Sequence, residues 1–591
     1  MYGIFTESVE EKLLLAGRET AGSKVMGLKE AVQSFVRTGM HLHIAHTYMR
    51  PNAAVFEICR SFWQKAPRFT ISSLGFTGNM MLFVQGGLAQ KLITTFCGDA
   101  YPFPGPNRIY QAAFQEGRVA IENWTVLTLV QRLLAGAMGV DWMPTHSISG
   151  SSLEEENADN LWVTSSPEGN KTIMVRAMNP DLTFVHAWAA DPSGNLVLAP
   201  PYAEGPHGAF AAREGVVATV ENVLTTRELK RYSHLVKIPG FLVRAVCPVP
   251  LGTHPAGASN HGVRDFEAYA EDEIFLQSLR EACKDEEKTR AWVEEWLLDC
   301  PDHNAYLKKL GHDRIWRLKG RAATDSWQTE LMDQVPAMTK AGKANPTETM
   351  ILAASGLIKE KVKAENYRTI LAGIGASNLA AWKSWYDLKR IDCQVDLMAE
   401  VGFFGYTPRP ADPFIFNLRN IPTCSMLTDI ITVLGNMVGS SSGRSIGVLG
   451  AGQIDQYGNI NSTLIREMNL FLVGSGGACD VALGAQEVLV LIEMNPYRLV
   501  DRVSYITAPG ERVRTLVTDL GVFEKGRGEE KLILTKIFNA GNKESDIIGE
   551  IKARCGWEIK IAPELETLSP PVDSDLMDIR IFDPERLFTA G

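Results

Sequence analysis

Short apolar segments bounded by Gly, Pro and Asp alternate with longer segments of helical period along most of the 591-residue chain, and this pattern runs twice. In the first run the reading is a helix at Leu28–Val36, a strand at Met40–Ala45, a helix from Asn52 to Trp63, strands at Phe69–Leu74 and Leu92–Phe96, and a helix from Thr125 to Gly139. Strands at Thr172–Arg176, Leu182–Ala189, Leu196–Leu198, Val216–Val220 and Ala245–Val249 follow, then a charged segment at 265–312 that reads as an amphipathic helical cover. The second run gives a helix at Glu348–Val362, a strand at Thr369–Gly373, a helix at Leu379–Leu388 and a strand that ends at Glu400. Strands alternating with helices predict doubly wound α/β domains. A chain of this length exceeds one core, since domains hold ~100–200 residues. The expected division is a polar extension at 1–22, an α/β domain at 23–320, an aperiodic Gly-, Pro- and Lys-containing linker at 321–347, and a second α/β domain at 348–591.

A sequence echo relates the two runs. His186-Ala-Trp-Ala-Ala-Asp191-Pro-Ser-Gly194-Asn195-Leu196 matches Gly450-Ala-Gly-Gln-Ile-Asp455-Gln-Tyr-Gly458-Asn459-Ile460 in layout. Both read as strand, Asp-x-x-Gly-Asn turn, strand, with the residue types a tight turn demands. One such turn in each half points to two related domains in one chain.

Composition narrows the function. A net charge of −10 argues against a general nucleic-acid binder, which carries a basic face. The nine cysteines form no Cys-x-x-Cys pair, which fits a reduced cytoplasmic protein better than a disulfide scaffold or a zinc module. No signal-peptide core opens the chain, and no window reaches ~18 uninterrupted apolar residues, so no membrane span is expected.

The chemistry concentrates in the second half. In open α/β sheets ligands bind at the carboxyl ends of strands. Glu400 ends such a strand, and Gly402 and Gly405 follow it, where a ligand can approach the backbone closely. That makes Glu400 a candidate nucleophile or base, although Glu-x-Gly alone equally describes a solvated strand end. The loop Gly474-Ser475-Gly476-Gly477-Ala478, read between strands at Leu470–Val473 and Val488–Ile492, can aim backbone N–H groups at one anion or serve as a plain turn. Leu449-Gly450-Ala451-Gly452 is not a dinucleotide fingerprint, because the third glycine and the following helix are missing. His41 and His43 alternate on one strand and read as structural; His46, at the strand end, is a weaker candidate for a substrate pocket, and no metal site is expected.

Taken together these residues resemble the glutaconate CoA-transferase branch of the family I CoA-transferases, with its two polypeptides fused into one. In the first half the resemblance rests on Ser23-Lys-Val-Met-Gly-Leu-Lys-Glu-Ala, Pro51-Asn-Ala-Ala-Val-Phe-Glu-Ile, the Asp191 turn and Asp302-His-Asn-Ala-Tyr-Leu. In the second it rests on Gln453-Ile-Asp-Gln-Tyr-Gly-Asn-Ile-Asn, Gly474-Ser-Gly-Gly-Ala and Tyr505-Ile-Thr-Ala-Pro-Gly. The resemblance implies two CoA-transferase-type α/β domains in tandem with the site at their interface. It implies CoA transfer from an acyl-CoA to a carboxylic acid, with no permanently bound cofactor and with the coenzyme A thioester as substrate. The family's nucleophilic glutamate stands in a Glu-Ser-Gly context, matched here by Glu400-Val401-Gly402 with the middle residue changed. Gly476, Gly477 and Ala478 would supply oxyanion or CoA contacts, with Gln453 and Asn461 as weaker candidates, and Gly402 would border the substrate. A homo-oligomer, dimer or tetramer, in the cytoplasm is implied.

Where the family has Gly-Gly after its first strand, this chain has Ala45-His46-Thr-Tyr-Met, and the loop Asp99-Ala-Tyr-Pro-Phe-Pro-Gly-Pro-Asn is aromatic. The expected acyl group is therefore larger or more apolar than glutaconate. The alternative is an acyl-CoA hydrolase, including the ring-opening relative that lacks the nucleophilic glutamate; here Glu400 would act as a base on water. A ligand sensor on the same fold is the other reading, but no helix-turn-helix segment with a basic face supports it.

Overall fold

The computed structural model describes Val9 and residues 22–589 apart from 46–47, 103, 166–168, 170, 261–262, 340–341, 441–442, 527 and 539–542. The extension expected at 1–22 falls outside these save for Val9 and Gly22, and His46 lies outside them too.

The first half is built on a nine-stranded sheet. Seven strands run parallel: β1 (His41–Ile44), β2 (Phe69–Ser72), β3 (Ala89–Thr94), β4 (Ala120–Asn123), β5 (Leu182–Ala190), β6 (Val216–Val223) and β7 (Val243–Pro248). Their spatial order is β4-β3-β2-β1-β5-β6-β7. Every residue of β5 is buried, as a parallel strand covered on both faces requires. The helix α1 (Val126–Met138) begins at a Thr125–Thr128 capping box and ends at Gly139 with φ +69°, so its local punctuation matches the sequence reading closely.

The second half carries a ten-stranded sheet behind two long helices, α2 (Pro346–Glu365) and α3 (Ala376–Lys389). Its centre comprises β8 (Thr369–Ala372), β9 (Asp396–Ala399), β11 (Ser445–Gly450), β12 (Glu487–Leu491) and β13 (Val513–Val517), parallel in the order β9-β8-β11-β12-β13. The short β10 (Phe403–Phe404) returns antiparallel to β9. Strand order reverses between β1 and β5 in one sheet and between β8 and β11 in the other. At such a reversal the connections leave toward opposite faces and open a crevice beyond the strand ends.

The echoed turns are the same structure built twice. The Asp191 carboxylate accepts hydrogen bonds from the Asn195 N–H and side-chain amide at 2.9 Å each, and Asn195 Oδ1 accepts from Gly240 N–H at 2.9 Å. The Asp455 carboxylate does the same with Asn459 at 3.0 and 3.1 Å, and Asn459 Oδ1 accepts from Gly510 N–H at 2.9 Å. Gly194 and Gly458 take φ of +94° and +83°, and a Cβ on either would stand 2.9 Å from the Cβ of Val243 or Val513. The two halves share one architecture down to side-chain detail.

Three expectations need correction. Lys171–Arg176 does not join the main sheet but forms a separate antiparallel sheet with Trp142–Thr145 and Leu161–Ser165. Of Leu470–Val473 only Leu470–Phe471 is extended, paired with Leu464–Ile465 away from the main sheet. The segment 321–347, read as aperiodic, holds the helix Ser326–Thr339, whose Glu330 bridges Arg321 at 3.0 Å and Arg419 at 2.5 Å. Its internal Pro336 and scattered apolar residues hid the helical period.

The C-terminal helix Asp573–Arg580 is tied to α2 by a bidentate ion pair, with Arg580 donating to both oxygens of the fully buried Glu348 at 2.8 and 3.0 Å. Removing one member of a buried pair strands the other's charge, so Arg580→Met is expected to cost about 3–5 kcal/mol. Urea unfolding would check this, and pairing the change with Glu348→Leu should recover part of the loss.

Candidate active site

Glu400 sits at the tip of a three-residue turn between β9 and β10, which pair through Met398 with Phe404 and Ala399 with Phe403. Gly402 closes that turn. Its φ is +123°, its N–H donates to Ala399 O at 3.1 Å, and a Cβ there would fall 2.5 Å from Thr428 O. Only glycine fits both the angle and the approach. The turn thus projects Glu400 past the strand end, where it lines a cavity of about 200 Å³ between the two halves.

Both halves build that cavity. Tyr48, Leu74 and Phe96 come from the first, and Ile374, Phe414 and Gly476 from the second. Ile374 lies in the Gly373–Gly375 loop just after β8, at the strand-order reversal. The wall is largely apolar. The Glu400 carboxylate accepts no hydrogen bond among the described residues; burial first, and then the negative charge of Asp480, push it up to about 7.

The Gly-rich loop reaches the same place. Gly477 lies so close to Glu400 that an added Cβ would collide with a carboxylate oxygen. The loop is held from the other half: Gly476 N–H donates to Thr95 O at 2.9 Å, Cys97 N–H to Val473 O at 2.7 Å, and Val126 N–H to Gly476 O at 3.1 Å. A short helix that the sequence reading missed, α4 (Ala478–Gly484), follows the loop. Its Asp480 carboxylate accepts from Leu127 N–H at 3.0 Å and from the Ser147 hydroxyl at 2.5 Å, capping α1 across the interface. Burial holds Asp480 up at about 6 despite these donors.

Among the expected anion donors the structure distinguishes sharply. The Gly476 N–H is spent on Thr95 and the Ala478 N–H on Ser475 O at 3.2 Å, whereas the Gly477 N–H has no backbone acceptor among the described residues. Gln453 and Asn461 do not line the cavity. Asn461 donates to Gln453 Oε1 at 2.9 Å and to Leu464 O at 2.9 Å, and Gln453 donates to Tyr497 O at 2.8 Å, so both side chains serve the turn that carries them. His41 and His43 share the Ser72 hydroxyl at 2.9 and 3.0 Å. Burial pushes the Cys479 thiol up to about 12, leaving it inert at neutral pH. Tyr48, in the Ala45–Met49 stretch expected to reshape the acyl pocket, lines the cavity wall; the sequence reading missed Arg50 and Glu271 there, because their place depends on packing between distant segments.

Two glycine substitutions separate support of the site from its chemistry. Gly402→Ala meets a backbone carbonyl and is expected to lose about 1–3 kcal/mol of stability, read as a lower unfolding temperature. Gly477→Ala meets only the movable end of Glu400, so its unfolding temperature should stay near that of the parent while the reactivity of Glu400 collapses.

The comparisons with known proteins agree with this layout. Residues 25–248 match the family model described as Coenzyme A transferase. The chain is 27% identical over 315 residues to the A component of the glutaconate CoA-transferase of Acidaminococcus fermentans, a match that spans 50% of this chain and 95% of that component. It is 28% identical over 164 residues to the B component of the 3-oxoadipate CoA-transferase of Pseudomonas knackmussii, spanning 25% of this chain and 61% of that component. Among solved structures, the acyl-CoA transferase YdiF of Escherichia coli O157:H7 superposes with a TM-score of 0.63 at 14% identity, over 96% of this chain and 97% of that one, a likeness of fold. Among the described residues no helix is long and apolar enough to cross a membrane. Residues 25–248 thus match the coenzyme A transferase family, and the relatives of the two halves are components of CoA-transferases, consistent with a fused two-component arrangement in one polypeptide that transfers coenzyme A.

Proposed function

We propose that the enzyme moves coenzyme A from an acyl-CoA to a carboxylic acid by a ping-pong route through a glutamyl-CoA thioester on Glu400. The observation that carries this is a carboxylate with no hydrogen bond among the described residues, projected by a glycine-closed turn into an apolar cavity shared by both halves. Partly buried, and without a hydrogen-bond partner among the described residues, it is primed as a nucleophile. Its oxygen would add to the thioester carbonyl carbon, expelling the CoA thiolate and leaving a mixed anhydride. The thiolate would then add to the Glu400 carbonyl carbon of that anhydride, releasing the acyl group as its carboxylate. An acceptor carboxylate would run the two steps in reverse. One thioester is exchanged for another, so atoms and charge balance without a nucleotide.

The tetrahedral intermediates place negative charge on an oxygen beside Glu400. The Gly477 N–H, without an acceptor among the described residues and adjacent, is the best-placed donor, and losing one such donor typically costs roughly 3 kcal/mol of barrier. The relatives' names refer to glutaconate and 3-oxoadipate, both dicarboxylates. The aromatic and aliphatic wall here, with Tyr101 edge-on to Phe414 at 5.5 Å, supports a bulkier or more apolar acyl group. The raised Glu400 carboxyl would also suit a base acting on water, the hydrolase reading.

Incubation with a panel of acyl-CoAs and no acceptor acid, followed by intact-mass measurement, separates the two. A CoA adduct on the parent enzyme that is absent from Glu400→Ala establishes the transferase route. Catalytic release of free CoA without an adduct establishes hydrolysis. A pH profile gives a second check. Because the Glu400 carboxyl is raised to about 7, it is protonated and inert on the acid side. kcat/KM for the acyl-CoA should therefore climb tenfold per pH unit below that value and level off above it, since this parameter reports the free enzyme.

A further inference from the structure

The cavity that holds Glu400 shares a wall with a second one. That second space, about 110 Å³, is lined by residues of both halves and of the linker, and Leu418 and Glu271 line both spaces. The two linings differ in chemistry. Around Glu400 the wall is mostly apolar, with Leu74, Phe96, Leu276, Phe414 and Phe416 contributing to it. Beyond Leu418 it consists of small residues such as Ala268, Ala270 and Ala322 together with the charged Glu273, Arg321 and Arg419. Glu330 of the linker helix Ser326–Thr339 bridges Arg321 and Arg419, and Arg321 also pairs with Glu273 at 2.9 Å, so the linker braces that wall. One buried donor there, Arg419 Nη1, has no partner among the described residues. An apolar chain crossing into the second space would cover these groups without offering them an acceptor, which is unfavourable.

Leu418 is fixed in the partition by contacts with the first half. Its Cδ1 presses on Gly257 so closely that an added Cβ there would collide with it. The same Cβ would stand 2.7 Å from both Tyr269 O and Glu271 N. Gly257 leads into a short ladder in which Ala258 N–H donates to Tyr269 O at 2.8 Å and Tyr269 N–H to Ala258 O at 3.1 Å. Leu418 therefore fills a notch between two paired backbone stretches, and the next residue, Arg419, is anchored on Glu330 at 2.5 Å. A side chain packed in this way cannot swing aside without leaving a void.

We propose that Leu418 is the stop that limits acyl-chain length: an acyl group with an apolar body extends from Glu400 through the first cavity and ends where Leu418 meets Gly257. This rests on the reading of Glu400 as the reacting end of the same cavity. Leu418 is thus a specificity residue, placed where the lining changes from apolar to charged.

Calorimetric titration with the straight-chain alkanoates from butyrate to decanoate tests this without requiring turnover. The background is Glu400→Gln, which removes a charge that would repel the acid. Arg50 and Glu271, charged groups on the first wall, stay in place throughout, so the series isolates length. Affinity should rise about fourfold per added methylene until the cavity is full, and then fall. Adding Leu418→Ala should let the first acids beyond that limit bind about tenfold more tightly, the worth of roughly two methylenes. Leu418→Phe should move the limit to shorter acids. Leu276→Ala removes the same atoms from the wall of the first cavity alone and should move the limit less than Leu418→Ala does. Unfolding temperatures near that of the background show that each variant is folded. A limit that stays put in Leu418→Ala, a limit that moves as far in Leu276→Ala, or affinity independent of length would overturn the proposal. No covalent step enters the measurement, so failure of the Glu400 adduct leaves this result standing, and the reverse also holds.

Discussion

The site exists because a glycine-rich loop of one half is sewn to the strand ends of the other. Three backbone hydrogen bonds join the Val473–Gly476 stretch to Thr95, Cys97 and Val126. Beneath them Asp480 caps α1 of the opposite half through Leu127 N–H and Ser147. Backbone groups cannot be left unpaired in a buried interface, so these bonds set the register of the two halves as firmly as any side-chain packing. Residues of both halves, including Leu127 and Val130 of α1 with Val433, Leu434 and Val481, then form one continuous apolar cluster. The cavity is what remains where the two sets of strand ends face each other.

Burial tunes the chemistry of that cavity. Four carboxyl groups, Glu400, Asp480, Glu271 and Asp99, stand in or beside it, each raised above its ordinary range with desolvation as the largest cause. Their partners differ, and the difference separates their roles. Asp480 is satisfied by donors at a helix N-terminus and acts as structure; Glu400 and Glu271 have no such donors among the described residues and face the space where a substrate would lie. Perturbed carboxyls gathered in a cleft are the expected signature of a working site.

Much of the fold was legible from local rules. Thr125 and Gly139 bound α1 because capping is a property of a few adjacent residues. The paired Asp191 and Asp455 turns were legible for the same reason, and they revealed the duplicated architecture. Glu400 could be picked out because a carboxylate followed by Gly at a strand end is a local pattern. Failures occurred where tertiary pairing overrides local preference. Lys171–Arg176 has strand character but pairs in a small separate sheet, and Leu470–Val473 is apolar because it packs against the first half, with Phe471 beside Phe114 at 5.7 Å between rings. Gln453 and Asn461, read as weaker candidates for contacts to coenzyme A or substrate, lie off the cavity and hydrogen-bond to each other and to the backbone.

By itself the sequence determined the α/β class, the doubling of the architecture, the turn that carries Glu400 and the glycines that let the backbone approach it. Each of these depends on residues within a few positions of one another, where φ/ψ preference and hydrogen-bonding capacity decide the outcome. Only the tertiary structure decided which loop N–H remains unspent, that Asp480 serves a helix of the other half, and that Glu271 shares a cavity with Glu400 across 129 positions of chain, the difference between their numbers. Those facts depend on which distant surfaces meet and on what each buried polar group finds when they do, and no local pattern encodes that.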